Sequence, residues 1–248
     1  MNEEQNQPIN YQNIPSLRKY VLTKKNKNIK ELEKEAIKWA KVSAENRLFY
    51  EIDWLGVPII QTPEDMVLMQ ELIFKVQPDI IIESGVAHGG SLIYYASLLE
   101  LLGKGKVIGI DIEIREHNRR VIERHPIFKR IELLEGNSVS EETIEKIRKM
   151  VPKDSKVIVC LDSNHIKSHV LRELQIYNSF VNPGSYIVVF DTITSKLAEL
   201  GACDKIYINN SSKEAVEEFL KVNNNFEIDK HYNKLYISYS PNGYLRRK

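Results

Sequence analysis

The chain has 248 residues and near-balanced charge: 35 Lys+Arg against 34 Asp+Glu give a net +1, with 42% hydrophobic and 28% charged residues. This ordinary globular usage excludes wholesale disorder, and the lack of a basic excess argues against nucleic acid as a partner. Its two cysteines, Cys160 and Cys203, lack C-x-x-C spacing and exclude a disulfide scaffold or a cysteine zinc site.

The opening M-N-E-E-Q-N-Q-P has no basic start followed by an apolar stretch, and no run reaches eighteen apolar residues. A cytoplasmic protein without a membrane span is therefore expected. The length suits one large domain with an appendage. Residues 1–28 are rich in Asn, Gln and Lys and are predicted to be a loosely held lead-in. From Ile29 to Phe49, the apolar residues Leu32, Ala36, Ile37, Trp39, Ala40 and Val42 recur close to the 3.6-residue period. That pattern predicts an amphipathic helix packed on the main domain or serving an oligomer contact. Residues 1–50 thus form an N-terminal extension, and 51–248 an α/β domain.

Thr62-Pro63-Glu64-Asp65 is a helix start, with Thr as N-cap, Pro at the first helical position and acids facing the positive end of the dipole; the helix should run to about Lys75. Five short, β-branched apolar runs then alternate with helical segments. The strands are predicted at 79–83, 106–111, 131–134, 157–162 and 186–191, and the helices from Gly89-Gly90 and over 115–124, 141–150 and 169–180. Such alternation implies βαβ units with right-handed crossovers and a doubly wound, mostly parallel sheet. A helix over 213–222 follows. Phe226–Asp229 and Leu235–Tyr239 flank a His-Tyr-Asn turn and predict an antiparallel C-terminal hairpin on one sheet edge. The N-terminal helix and this hairpin are the surfaces on which a homo-oligomer would form.

Doubly wound sheets bind ligands beyond the carboxyl ends of their strands. After the first of these strands the chain reads Glu83-Ser84-Gly85-Val86-Ala87-His88-Gly89-Gly90-Ser91. Its glycines permit a sharp turn and a close approach to a ligand, and the next helix offers free N–H donors. The spacing departs from the G-x-G-x-x-G dinucleotide fingerprint, so an NAD site has little support. His88, inside the turn, reads as a cofactor-loop contact. Asp111, ending the second strand, can accept hydrogen bonds from both hydroxyls of a ribose or can cap the next helix. Asn137 and Ser138, after the third strand, would lie beside an adenine. The layout resembles class I S-adenosylmethionine-dependent methyltransferases. That resemblance implies S-adenosylmethionine in the cleft, with Glu83, Gly85, Gly89 and Ser91 around its methionine half.

Asp162 follows the fourth strand and Asp191 closes the fifth. Neighbouring strands lie about 4.8 Å apart, so both carboxylates can converge on one cation if the strands are adjacent, and oxygen ligands of this kind suit Mg2+. A cation there would polarise a substrate hydroxyl. His165, three residues past Asp162, is placed as the general base, since an imidazole ordinarily titrates near pH 6.5. His169, one helical turn later, is the rival base.

The ordered series Trp54-Leu55-Gly56-Val57-Pro58, Gln61-Thr62-Pro63-Glu64-Asp65, E-S-G-V-A-H-G-G-S, G-I-D-I-E-I-R, L-D-S-N-H, H-V-L-R-E-L and Gly243-Tyr244-Leu245-Arg246-Arg247 resembles the cephalosporin hydroxylase family over about residues 50–247. Despite its name, that family has a methyltransferase fold and includes O-methyltransferases acting on sugar hydroxyls. The resemblance implies magnesium on Asp162 and Asp191, and His165 as catalytic base. The family pattern has two consecutive acids where this chain has Phe190-Asp191, so one carboxylate is missing; Asn164 also stands where an acid is common. The expected function is therefore O-methylation of a sugar or glycosylated small molecule. The alternative is a non-catalytic cofactor-binding or partner protein that has lost metal-dependent chemistry. An iron-dependent hydroxylase has no two-His-one-carboxylate triad to support it.

Overall fold

The computed structural model describes residues 28–248. The expected lead-in lies, apart from Asn28, outside the described residues. Helix α1 (Ile29–Glu45) leads into a 3-10 turn (Leu48–Glu51) and a small hairpin of β1 (Asp53–Trp54) and β2 (Val57–Pro58). Leu55 and Gly56 both have positive φ at its tip, the two-residue turn geometry that matches strand twist. Helix α2 (Pro63–Val76) starts where the sequence predicts, with the Thr62 hydroxyl accepting the Asp65 N–H.

The main body then alternates β3 (Ile80–Ser84), α3 (Gly90–Leu101), β4 (Lys106–Asp111), α4 (Glu116–Arg124), β5 (Ile131–Glu135), α5 (Glu141–Met150), β6 (Val157–Leu161), α6 (Lys167–Tyr177) and β7 (Tyr186–Val189). It closes with α7 (Thr194–Glu199), α8 (Ser212–Val222), β8 (Phe226–Ile228) and β9 (Tyr244–Arg247). Strand order in the seven-stranded sheet is β5-β4-β3-β6-β7-β9-β8, with β9 antiparallel to both its neighbours and the other pairs parallel. The chain winds outward from β3 to β5 and then crosses back to β6. The switch point therefore lies between β3 and β6.

The β-branched runs form strands because both faces of the sheet are covered. Ile81, Ile158 and Cys160 pack into one apolar cluster with α2 and α3. Ile80, Ile82, Val157, Val159 and Leu161 pack into another with α5, α6 and α8. The period-2 alternation of cluster membership is the pleat of a doubly covered sheet. A third cluster of Ala40, Ile193, Leu197 and Tyr239 seats α1 on α7, and the Tyr239 hydroxyl donates to the Ala40 carbonyl at 2.9 Å.

Three differences from the sequence reading have physical causes. The C-terminal antiparallel closure exists, but β8 pairs with 244–247 rather than 235–239. The Leu235–Tyr239 segment is instead drawn inward, where Asp65 accepts from the Tyr239 N–H and the Ser238 hydroxyl. Strands β6 and β7 stop short of Asp162 and Asp191, the latter having φ 55, which no strand residue adopts. The short helix α7, unanticipated in the sequence, forms part of the wall described next. Among the described residues, no helix is long and apolar enough to cross a membrane.

Candidate active site

Register brings the strand ends together. Ser84 pairs with Ile110 on one side and Leu161 on the other, and Leu161 pairs with Val189. One further rung of backbone bonds continues past the strands: Gly85 N–H to Ile110 O at 2.8 Å, Asp162 N–H to Ser84 O at 2.9 Å, and Phe190 N–H to Leu161 O at 3.0 Å. Gly85, Asp111, Asp162 and Asp191 therefore emerge along one carboxyl edge.

Above that edge lies a cavity of about 500 Å3, within the range of small-molecule and cofactor sites. Gly85, His88, Gly89 and Ser91 line it from the β3–α3 turn, Asp162 and His165 from the β6–α6 loop, and Asp191 from the end of β7. Donor atoms of Asp162, His165 and Asp191 lie within 4.8 Å of one another, and His165 Nε2 is 3.2 Å from Asp191 Oδ2. Ala87 (φ 46) and Asp191 (φ 55), both in the lining, hold left-handed backbone, a conformation that non-glycine residues adopt at a cost.

The remaining predicted residues act from outside the lining. Glu83 is fully buried behind the turn; the Ser91 hydroxyl donates to its Oε2 at 2.7 Å, while Oε1 has no partner among the described residues. Burial pushes its carboxyl up to about 8; the hydrogen bond from Ser91 opposes the shift, and the Asp111 charge adds to it. The fold thus keeps a proton that the unfolded chain loses near pH 4.5, so this group's contribution to stability falls as pH rises from about 4.5 to about 8. Glu83→Gln is expected to gain on the wild type across that window, by up to a few kcal/mol at pH 8. Urea unfolding at pH 5 and pH 8 checks this; a stability difference independent of pH would mean that the carboxyl is ionised throughout.

Asp111 braces the turn: its Oδ2 accepts the N–H of Val86 at 2.8 Å and of Ala87 at 3.3 Å, and Oδ1 accepts the Glu113 N–H at 3.3 Å. A carboxylate has about four lone-pair sites, so capacity for a ligand hydroxyl remains. Asn137 is exposed, and its Oδ1 accepts the Val139 N–H. Ser138 is buried with its hydroxyl 3.3 Å from His169 Nε2. The rival base His169 is occupied there, also 3.3 Å from the Ser163 hydroxyl and 3.4 Å from buried Glu173. Its hydrogen bond to Glu173 holds the imidazole above its ordinary pKa, and it does not line the cavity.

Asp162 is pushed well above the usual carboxylate range by burial, and next by the Asp191 charge. Like charges converging without a cation have this effect. Sequence reasoning missed Arg47, just before the N-terminal 3-10 turn, Phe49 and Tyr50 within it, Tyr207, and Tyr239, all of which line the cavity. It also missed buried Asp65, raised to about 6 chiefly by burial. The only signal for Asp65 was the Q-T-P-E-D run, which reads equally well as a helix start.

A strand order with the switch point at a glycine turn, an acid on the neighbouring strand and a final antiparallel pair defines a Rossmann-like methyltransferase fold. The chain belongs to the rhamnosyl O-methyltransferase/CmcI family, whose model matches residues 46–248. It is 28% identical over 148 residues to a rhamnosyl O-methyltransferase of Mycobacterium tuberculosis and 27% identical over 141 residues to that of Mycobacterium leprae. The first match covers 59% of this chain and the second 56%; each covers 59% of the relative, so the chain spans about three-fifths of the length of the curated relatives it matches. An apo structure of CmcI aligns over 80% of this chain and 76% of its own, with a TM-score of 0.57 at 21% identity. A structure of CmcI with Mg and SAM aligns over 98% and 87%, also at 0.57, with 17% identity.

Proposed function

We propose that this protein is an S-adenosylmethionine-dependent O-methyltransferase acting on a sugar hydroxyl. The observation that carries this reading is the single cavity in which the β3–α3 glycine turn faces Asp162, His165 and Asp191. Family membership and the rhamnosyl O-methyltransferases among its relatives support a glycosyl acceptor.

The residues present fit the groups implied. The cavity has the volume for a nucleoside-sized ligand, and the carboxylates of Asp162 and Asp191 offer oxygen donors for a divalent cation. S-adenosylmethionine, when bound, supplies an electrophilic sulfonium methyl; Gly85, Gly89 and Ser91 would flank it, His88 would touch it from the turn, and Asn137 and Ser138 would meet its adenine end. Asp162 and Asp191 would hold Mg2+, which when bound lowers the pKa of a hydroxyl. His165 takes the proton of the acceptor hydroxyl, and Asp191, accepting from Nε2–H, fixes the ring so that the other nitrogen keeps its lone pair. Phe49, Tyr50, Tyr207 and Tyr239 give the acceptor flat apolar faces against which a sugar ring can lie.

Asp111→Ala is expected to weaken S-adenosylmethionine binding by about 2 kcal/mol, roughly 30-fold, through loss of the ribose acceptor and of the brace on Val86 and Ala87. Calorimetry reads this directly, and unchanged affinity would remove Asp111 from the site.

A second reading is favoured by one observation: Phe190, where an acid was expected, is 3% exposed and belongs to the apolar core. On that reading the chain binds the methyl donor without transferring the methyl. Incubation with labelled S-adenosylmethionine, Mg2+ and rhamnosyl or other glycosyl acceptors separates the two. Transfer supports the enzyme; binding without transfer to any acceptor supports the second reading.

A further inference from the structure

Glu173, in α6, is 0% exposed, and its Oε2 has no hydrogen-bond partner among the described residues. Its other oxygen, Oε1, accepts the Ser163 hydroxyl at 2.9 Å and lies 3.4 Å from His169 Nε2. That same ring nitrogen is 3.3 Å from both the Ser138 and the Ser163 hydroxyl oxygens. His169, Glu173 and Tyr177 recur every fourth residue and so share one face of α6, and the Tyr177 hydroxyl donates to the Ser138 carbonyl at 2.9 Å. Ser138 belongs to the loop after β5 and Ser163 to the loop after β6, yet these strands are not neighbours: β4 and β3 lie between them in the sheet. One imidazole on α6 therefore joins two loops that the sheet order keeps apart.

An ionised carboxylate only accepts hydrogen bonds, so Glu173 draws the Ser163 proton and favours a proton on His169 Nε2. The imidazole then donates, and both serine oxygens are left to accept from it. A fully buried, half-satisfied carboxylate is a poor choice for packing alone, because apolar residues of similar volume fill such positions without loss of stability. We propose that His169, held by Glu173, is a positioning residue that ties the loop after β5 to the loop carrying Asp162 and His165, so that filling the adenine end of the cleft steadies the catalytic loop. This rests on the reading that places Asn137 and Ser138 at that adenine end. Ser163 directly follows Asp162 and stands two residues before His165. The tether thus acts through the loop backbone, not on the reacting atoms.

Hydrogen exchange of the full chain, with and without S-adenosylhomocysteine, tests the tether without any acceptor. In the wild type, saturating S-adenosylhomocysteine is expected to slow exchange at the amides of residues 163–166. His169→Phe keeps a flat ring at a side chain that is 25% exposed and removes the shared nitrogen. At saturation it should show about 3–10-fold less of that protection while unfolding in urea as the wild type does. His169→Gln, which again offers an N–H, should restore part of it. Equal protection in the wild type and His169→Phe, or none in a wild type that binds, overturns the tether and leaves the cofactor reading standing. If calorimetry finds no binding to the wild type, the cofactor reading falls and the proposal with it. Should His169→Phe not fold, Ser138→Ala, Ser163→Ala and their combination decide. Through a shared imidazole their losses of S-adenosylhomocysteine affinity should be non-additive, and additive losses overturn the tether.

Discussion

His165→Ala is expected to lower kcat by about 10²–10⁴-fold, or roughly 3–5 kcal/mol of transition-state stabilisation, with affinity for S-adenosylmethionine unchanged. His165 stands in the β6–α6 loop with its Nε2 3.2 Å from Asp191 Oδ2 and faces the cavity that the glycine turn also lines. The other imidazole of that lining, His88, belongs to the turn itself, and His169 is engaged with Ser138, Ser163 and Glu173. On the proposed reading, removing His165 removes the base while leaving the donor's contacts in place. Single-turnover transfer of a labelled methyl group separates the chemical step from binding. Partial rescue by added imidazole would distinguish a lost base from a disturbed loop. A fully active variant would hand proton removal to another group.

Gly85→Ala is expected to destabilise the fold by about 2–4 kcal/mol and to lose S-adenosylmethionine binding beyond that. Gly85 has φ +97, and a Cβ there would lie 2.2 Å from the Asp162 carbonyl oxygen and 2.6 Å from its carbon. Both atoms are backbone, so no side-chain rotation relieves the overlap. The β3 and β6 ends must separate, displacing Asp162 from the glycine turn. Gly103→Ala is the control: its φ is +74, and nothing lies within 4 Å of the added Cβ. It should show only the local backbone penalty, about 1 kcal/mol. Urea unfolding compares the pair. Equal losses would show that the turn tolerates a side chain and that the strand-end packing is looser than the geometry implies.

The parts of the fold legible in the sequence are those governed by local rules. Lys106–Asp111 and Glu141–Met150 agree in both bounds, because a β-branched run buried on two faces and a Ser-capped amphipathic helix each carry their own signal. The doubly wound order follows from strand–helix alternation and the handedness of crossovers. The strand-end positions of Gly85, Asp111, Asp162 and Asp191 follow in turn. The C-terminal pairing was not legible. Leu235–Tyr239 alternates like a strand, whereas Tyr244–Arg247 ends in two arginines; yet the latter enters the sheet, burying Tyr244 and Leu245. Strand choice there depends on which segment can reach β7 while the other is held by Asp65, a contact across more than 170 residues.

The sequence by itself determined the sheet, its switch point and the acids and histidine that gather there, since each depends on a few neighbouring residues and on the fixed period of strand or helix. Only the tertiary structure decided that His165 and not His169 lines the cavity, that Asp111 braces the turn, and that Phe190 joins the core while Asp65 anchors the 238–239 segment. Those outcomes are set by side chains from distant elements competing for the same buried space. Pairwise contacts of that kind leave no periodic trace along the chain.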